Sequence, residues 1–237
     1  MRIRLEFWPT VVALPVLALL IGLGTWQVQR LEWKTALIES IEERAQLPPA
    51  PLPASAEWET LDLAAQEFRR FTARGVFDHR REFHVFTQYP DDGTAGYWIL
   101  TPLELAQGGT VLVNRGFVPQ QLKPDAGNSI GETAGEIEIT GVLRRSGEAN
   151  IFTPDATPGN NMWFIVDVPS MAGLLDNADV APFYLALTEP APAGGLPRPA
   201  PARIQLNNRH LGYALTWFGL AACLVGVFVA WHLRREP

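Results

Sequence analysis

Two long apolar runs without a charged residue lie near opposite ends of the sequence, at residues 7–25 and 211–231. Each is about as long as a helix must be to cross ~30 Å of hydrocarbon at ~1.5 Å per residue. The sequence therefore predicts transmembrane helices at 7–26 and 211–231, with one extramembrane segment between them. A cleaved signal peptide is the alternative for the first run, but residues 22–26 make a poor cleavage site, which favours an uncleaved anchor.

The charges beside the two runs predict how the helices are oriented. The short outer flanks are basic and contain Arg2, Arg4, Arg234 and Arg235. Since cytoplasmic flanks carry such an excess of Lys and Arg, both termini are expected in the cytoplasm, with the intervening segment across the membrane. The chain has a formal net charge of −6 although its tails are basic, so the intervening segment is acidic. This argues against nucleic acid as a partner.

The only cysteine in the sequence, Cys223, lies inside the second apolar run. The intervening segment can therefore form no disulfide, and it has no pair of thiols for copper binding or thiol exchange. The sequence has only three methionines, which disfavours a methionine-rich copper site. Copper chaperones and thiol oxidoreductases are excluded on these grounds.

Between the two spans, the pattern predicts a helical extension, two proline-rich linkers and one folded domain. Helical spacing of apolar residues continues from Trp26 to about Ala45. Proline-rich sequence follows this helix and recurs before the second span, as expected of extended linkers. The predicted boundaries are residues 27–56 for the helical extension with its linker, 57–189 for the domain and 190–206 for the second linker.

Short runs with strand character predict a mainly-β domain. The predicted strands are residues 68–77, 82–88, 97–101, 110–114, 136–145, 163–167 and 183–187. The first two are expected to form a hairpin about residues 78–81, and a short helix is expected at 169–175. The predicted fold class is a membrane protein in which two transmembrane α-helices flank a mainly-β (α+β) extramembrane domain, barrel-like or sandwich-like.

The strongest candidate for a functional site is the start of the second span, where His210 precedes Tyr213 and Trp217. On a helix these three side chains fall along one face. An ionisable residue at a membrane boundary is a functional candidate, and a neutral imidazole is a common axial ligand of haem iron. In the alternative interpretation, His210 and Arg209 only anchor the helix at the lipid headgroups while the aromatic side chains pack.

The domain contains weaker candidates. Arg115 stands at a predicted strand end before a glycine, where it is suited to bind a carboxylate such as a haem propionate. Its alternative role is to satisfy a carboxylate or carbonyl within the domain. His79 and His84 lack a third metal ligand at useful spacing and are interpreted as surface histidines. The sequence has no nucleophile elbow, zinc-protease motif, phosphate loop or dinucleotide fingerprint, so no enzymatic activity is expected.

Four ordered blocks of the sequence resemble the surfeit locus protein 1 family of cytochrome c oxidase assembly factors. They are residues 24–34 (GTWQVQRLEWK), 96–103 (GYWILTPL), 111–119 (VLVNRGFVP) and 208–220 (NRHLGYALTWFGL). The resemblance covers nearly the whole chain, including the two spans. It implies a role in the maturation of haem–copper terminal oxidases in the bacterial inner (plasma) membrane, with the large domain in the periplasm.

The resemblance further implies that the chain binds haem a and assists its insertion into oxidase subunit I. The implied partners are that subunit, other assembly factors such as haem a synthase, and membrane lipid. Some bacterial members bind haem through the histidine that opens the second span, which corresponds to His210. The family motif commonly reads Asn-His or Asn-Asn-His, whereas here Arg209 separates Asn208 from His210.

The chemistry of other side chains suggests further contacts with haem a. The candidate contacts of haem a are His210 for the iron, Tyr213 and Trp217 for the macrocycle, and Arg115 or Arg209 for a propionate. The alternative function is a cofactor-free membrane scaffold that stabilises an oxidase assembly intermediate. A periplasmic enzyme is the least favoured class, because the sequence shows no catalytic constellation.

Overall fold

The computed structural model describes residues 7–123, 130–175, 179–191, 194–200 and 209–233. Contacts divide the chain into two compact units, of which one contains both chain ends, up to Glu42 and from Gln205, and the other runs from Glu43 to Ile204. The helices and strands in chain order are α1 (Phe7–Gln46), β1 (Ala50–Pro51), α2 (Leu63–Gln66), β2 (Arg70–Phe77), β3 (Phe83–Gln88), β4 (Ala95–Leu105), β5 (Thr110–Pro119), β6 (Glu136–Arg145), α3 (Val168–Ala172), β7 (Val180–Glu189) and α4 (His210–His232).

The first unit is formed by α4 and most of α1, two helices that are long and apolar enough to span a membrane. The predicted helical extension of the first span is confirmed, because α1 runs for 40 residues without interruption, with Pro15 inside it. The second helix, α4, has 23 residues and begins at His210. Little of the apolar surface of either helix is buried within the chain, as expected of surfaces that face lipid.

The second unit is built on a closed β-barrel. Strands β2, β6, β7, β5 and β4 pair in that order, and a further pairing of β2 with β4 closes the ring. Outside the ring, β1 pairs with β2 and β3 pairs with β4. The β1–β2 and β5–β7 pairs are parallel, and the other pairs are antiparallel. The prediction of a mainly-β, barrel-like domain is confirmed.

The alternation of side chains along β5 shows how one sheet serves two cores. Val111 and Val113 belong to the core inside the barrel. Leu112, between them, belongs to a second core that includes Trp163 and α3. Because both of its faces are covered, β5 is buried along nearly its whole length. A strand of this kind has a nearly continuous apolar sequence rather than an alternating one.

Two local predictions are wrong. Residues 78–81 do not connect a hairpin, because β2 pairs with β6 and β4 whereas β3 pairs with β4. They form a short 3₁₀ turn instead, in which the Asp78 carboxylate accepts from the backbone N–H of Arg80. Residues 163–167 are not a strand, since Trp163 makes only an isolated bridge to Val85. In both places tertiary pairing overrides the local pattern.

Both predicted linkers contribute residues to the packed domain. In the first, β1 pairs with β2 and Leu52 lies in the barrel core with 4% exposure. In the second, Arg198 exchanges two backbone hydrogen bonds with Phe117 of β5. Proline is tolerated in such edge pairings because a neighbouring strand needs no donor from it. The packed unit therefore extends beyond the predicted boundaries at residues 57 and 189.

Candidate functional site

Helices α1 and α4 approach each other closely near the start of α4. Gly24 of α1 faces the ring of Phe218, and a β-carbon at Gly24 would lie 2.7 Å from that ring. Ala214 of α4 is also buried, with 2% exposure. Small residues of this kind let two helix backbones come together in a membrane. The contact sets which side chains of α1 stand beside the first turn of α4.

Gln27, one turn after Gly24, places its amide beside His210. The Oε1 atom of Gln27 lies 2.8 Å from Nδ1 of His210, and Gln27 is only 9% exposed. Because an amide oxygen can only accept, Nδ1 donates this hydrogen bond, and when the ring is neutral its lone pair lies on Nε2. Among the described residues, Nε2 of His210 has no hydrogen-bond partner.

The other residues predicted at this end of α4 surround His210 only in part. Tyr213, about one turn beyond His210, is 56% exposed, and Trp217 is half-buried a further turn along. Arg209 is exposed and immediately precedes the helix. These residues lie on one helix, whereas Arg115 belongs to the other unit.

Arg115 lies at a β-bulge rather than at a strand end. Asn114 pairs with Leu100 and Gly116 pairs with Ile99, so Arg115 is the extra residue of β5. Gly116 has a φ of +133°, which favours glycine. A bulge changes the direction of a side chain, and here the guanidinium turns into the domain, leaving Arg115 3% exposed.

The Arg115 guanidinium donates to groups of its own domain. Nη2 donates to Oε1 of Glu82, Nη1 donates to the Gly131 carbonyl at 2.6 Å, and Nε donates to the Thr101 hydroxyl at 2.8 Å. Burial lowers the pKa of Arg115, and the charge of Glu82 offsets part of this effect. These contacts correspond to the intradomain role that was the alternative for Arg115, and burial keeps the guanidinium from any exposed propionate.

His79 connects this buried network to a cleft in the domain. Nδ1 of His79 lies 3.1 Å from Oε1 of Glu82, and Nε2 accepts from the backbone N–H of Thr133 at 3.1 Å. The cleft has a volume of about 870 Å³ and is lined by residues 76–81, 104 and 132–135. Its wall carries carboxylates as well as arginines, so it has no dominant sign of charge with which to select a ligand.

The interpretation of His79 and His84 as surface histidines is wrong. His84 is 5% exposed, and the side chain of His79 is 13% exposed. Desolvation lowers the pKa of His84, and the nearby charge of Glu82 opposes this to a smaller extent. Within the described ranges, Nδ1 of His84 has no hydrogen-bond partner. Likewise, no group of three His, Cys, Asp or Glu side chains in those ranges is arranged to hold a metal ion.

Gln27 and Glu82 are residues that sequence reasoning missed. The signal for Gln27 is its position three residues after Gly24 at the end of the first span, since this spacing puts both residues on one face of a helix. Glu82 has no comparable signal. Its role depends on the bulge that turns Arg115 inward, and the bulge depends on the register of β4 against β5.

The structure defines a class of protein in which two candidate membrane-spanning helices flank a closed β-barrel domain and one helix-opening histidine is held by the other helix. The model of the SURF1 family matches residues 14–222. The chain therefore belongs to the SURF1 family, and the resemblance to the surfeit locus protein 1 family is confirmed.

Three relatives show how closely the chain follows this family along its length. Surfeit locus protein 1 of Mus musculus is 33% identical over 230 residues, which cover 91% of this chain and 73% of the relative. The SURF1-like protein of Monosiga brevicollis is 34% identical over 226 residues, with 91% and 83% covered. Surfeit locus protein 1 of Homo sapiens is 32% identical over 231 residues, with 91% and 75% covered.

Proposed function

We propose that this protein is an assembly factor for a haem–copper terminal oxidase, and that it binds haem a and assists the insertion of haem a into subunit I. The observation that carries this proposal is the state of His210. Its Nδ1 is held by Gln27, while its Nε2 has no partner among the described residues. A histidine that ligates a metal usually has its other ring nitrogen held in this way. The function implied by the family resemblance agrees with this chemistry.

The residues at the start of α4 fit haem as a cargo. The lone pair on Nε2 of His210 would be suited to hold haem iron. Tyr213 and Trp217 provide aromatic surface on the same helix, and the exposed Arg209 provides a cation for a propionate. Arg115 is not part of the proposed site because its guanidinium is buried and bound to Glu82.

A single protein ligand suits a protein that must release its cargo. Differences in affinity among related complexes lie mostly in the dissociation rate. A site that held haem through one imidazole beside the exposed Tyr213 would retain it less firmly than an enclosed pocket with two protein ligands. The half-open start of α4 is therefore appropriate for transfer to another membrane protein.

The proposed location is the bacterial inner membrane, with both termini in the cytoplasm and the barrel domain in the periplasm. The basic outer flanks support this orientation. The proposed partners are oxidase subunit I, other assembly factors such as haem a synthase, and membrane lipid. Neither an enzymatic activity nor binding of nucleic acid belongs to the proposal.

The proposal is tested by purifying the full chain from a host that makes haem a and recording its absorption spectrum. The wild type should carry haem a, and His210→Ala should lower the molar ratio of haem a to protein at least about tenfold. His232→Ala is the matched control, because this histidine lies at the other end of the same helix. If His210→Ala retains the haem a content of the wild type, His210 is not the ligand and the proposal fails.

The scaffold function is supported by one exposed feature of the barrel domain. Ile151 and Phe152 are adjacent, with 92% and 85% of their surface exposed. The Asn150 carboxamide accepts from the N–H of Phe152 at 2.9 Å, which orders the turn that presents them. Apolar side chains held in solvent in this way are suited to contact another protein. A colourless protein that still co-purifies with oxidase subunit I would favour the scaffold over haem binding.

A further inference from the structure

The hydrogen bond between Gln27 and His210 gives the first span a role in the site on the second. A buried amide costs free energy unless it is hydrogen-bonded, and Gln27 is 9% exposed. Its oxygen reaches Nδ1 of His210 at 2.8 Å across 183 positions of sequence. The close approach of the two helices at Gly24 and Phe218 brings the amide within this distance.

A comparison within α4 explains why His210 needs a partner from another helix. At the end of α4, His232 is hydrogen-bonded through Nδ1 to the carbonyl of Phe228, four residues earlier in the same helix, at 2.8 Å. His210 is the first residue of α4, so α4 itself contains no carbonyl four residues before it. The Nδ1 atom of His210 is instead hydrogen-bonded to Gln27 of the other helix.

We propose that Gln27 is a positioning residue for His210, which holds the imidazole in the tautomer protonated at Nδ1 and so leaves the lone pair of Nε2 available to iron. A histidine without such an acceptor populates both tautomers, and in one of them Nε2 is protonated and cannot ligate a metal. The inference rests on the proposed function in so far as it concerns haem, but the tautomer itself is a property of the chain without haem.

The first test needs no haem. The full chain is labelled with ¹⁵N-histidine and reconstituted in lipid nanodiscs, and His210→Ala identifies the ring resonances of His210 among the four histidines of the sequence. In the wild type these resonances should show protonation at Nδ1. Gln27→Leu, which keeps the approximate volume but removes the acceptor, should shift them toward protonation at Nε2. Gln27→Glu, which keeps an acceptor, should retain the wild-type tautomer.

The second test measures haem a binding by the same variants. Gln27→Leu should weaken the affinity about 10- to 100-fold, as expected for loss of a hydrogen bond to a metal-ligating histidine, and Gln27→Glu should restore most of it. Gln29→Leu is the matched control, because Gln29 lies two residues away on the exposed side of α1. It should change neither the tautomer nor the affinity.

The outcomes separate this inference from the proposed function. If Gln27→Leu leaves the tautomer of His210 unchanged, Gln27 does not position the ring and the inference is overturned. If His210→Ala abolishes haem binding but Gln27→Leu binds haem as the wild type does, the inference is overturned and the haem function stands. If His210→Ala binds haem normally, the haem function fails, and the tautomer measurement still decides whether Gln27 orients the ring.

Discussion

Removing either partner of the Arg115–Glu82 pair should destabilise the barrel domain strongly. The side chains of Arg115 and Glu82 are 3% and 5% exposed, so a single substitution leaves a buried charge without its counter-charge. Arg115→Met retains most of the aliphatic length of the side chain but removes the guanidinium. Glu82→Leu removes the carboxylate with little change in volume. Each variant isolates the loss of charge from the loss of packing.

The expected magnitude follows from the contacts. Breaking a buried ion pair on one side costs about 3–5 kcal/mol, which for a domain of this size lowers Tm by roughly 6–20 °C. The double variant removes both charges and leaves unsatisfied the carbonyls of Ile130 and Gly131 and the hydroxyl of Thr101. At about 1 kcal/mol for each of these three hydrogen bonds and for the one between His79 and Glu82, it should cost about 4 kcal/mol, well below the roughly 6–10 kcal/mol expected if the two single costs were additive.

The assay is urea unfolding of the full chain in nanodiscs, followed by tryptophan emission, for the wild type, both single variants and the double variant. Strong coupling is expected, so the double variant should be destabilised by far less than the sum of the costs of the two single variants. Additive costs would refute the description of Arg115 and Glu82 as a mutually dependent buried pair. Haem a content provides a second readout, since Arg115→Met should retain haem a if its role is confined to the domain.

Two more perturbations test the helix contact and the buried histidine. Gly24→Leu should lower haem a content by displacing Phe218, whereas Gly22→Leu, at a glycine with open space around it, should not. Burial lowers the pKa of His84, so the unfolded chain takes up a proton first as the pH falls through about 6.5. The domain should therefore lose stability as the pH falls below about 6.5, by up to about 1.4 kcal/mol for each unit of pKa difference, and His84→Gln should reduce this loss.

Each of these expectations has a clear contrary result. Equal haem a content in Gly24→Leu and the wild type would show that close contact of the helices is not needed. Equal loss in Gly24→Leu and Gly22→Leu would point to a general effect of leucine on α1. Urea titrations at several pH values decide the second prediction. An unchanged pH dependence in His84→Gln would show that His84 is not the group responsible.

Parts of the fold were predictable from the sequence where the pattern of apolar and polar residues follows directly from the surroundings of one helix or strand. The two spans are apolar on all sides. In β6, buried residues alternate with half-buried ones from Ile139 to Arg144, and its bounds of Glu136–Arg145 agree with the prediction. In β3, by contrast, Phe83, His84 and Val85 are all buried. Such a strand gives no alternation from which the burial of His84 could be inferred.

Of the hydrogen-bonded pair at the candidate site, only His210 was predictable from the sequence as a site residue. The position of His210 at the edge of an apolar run marks it as a candidate. Its partner Gln27 is 183 positions away, and the sequence of α1 marks it only by its spacing from Gly24, without indicating that this face meets α4. For Arg115, residue type predicted a contact with a carboxylate, and Nη2 donates to Glu82. The direction of the side chain, however, depends on a bulge in the pairing of β5 with β4.

The place of β7 in the barrel has a consequence for the order of folding during synthesis. It is the last strand among the described residues, yet it lies between β5 and β6, and its parallel pairing with β5 joins Val180 to Thr110. Until β7 has been made, β5 and β6 each present an open edge, and pairing over such a separation is slow. Open edges also invite pairing with other chains. The nascent domain therefore passes through an aggregation-prone stage that ends only when β7 (Val180–Glu189) has been made, and a chaperone that shields these edges should increase its folding yield.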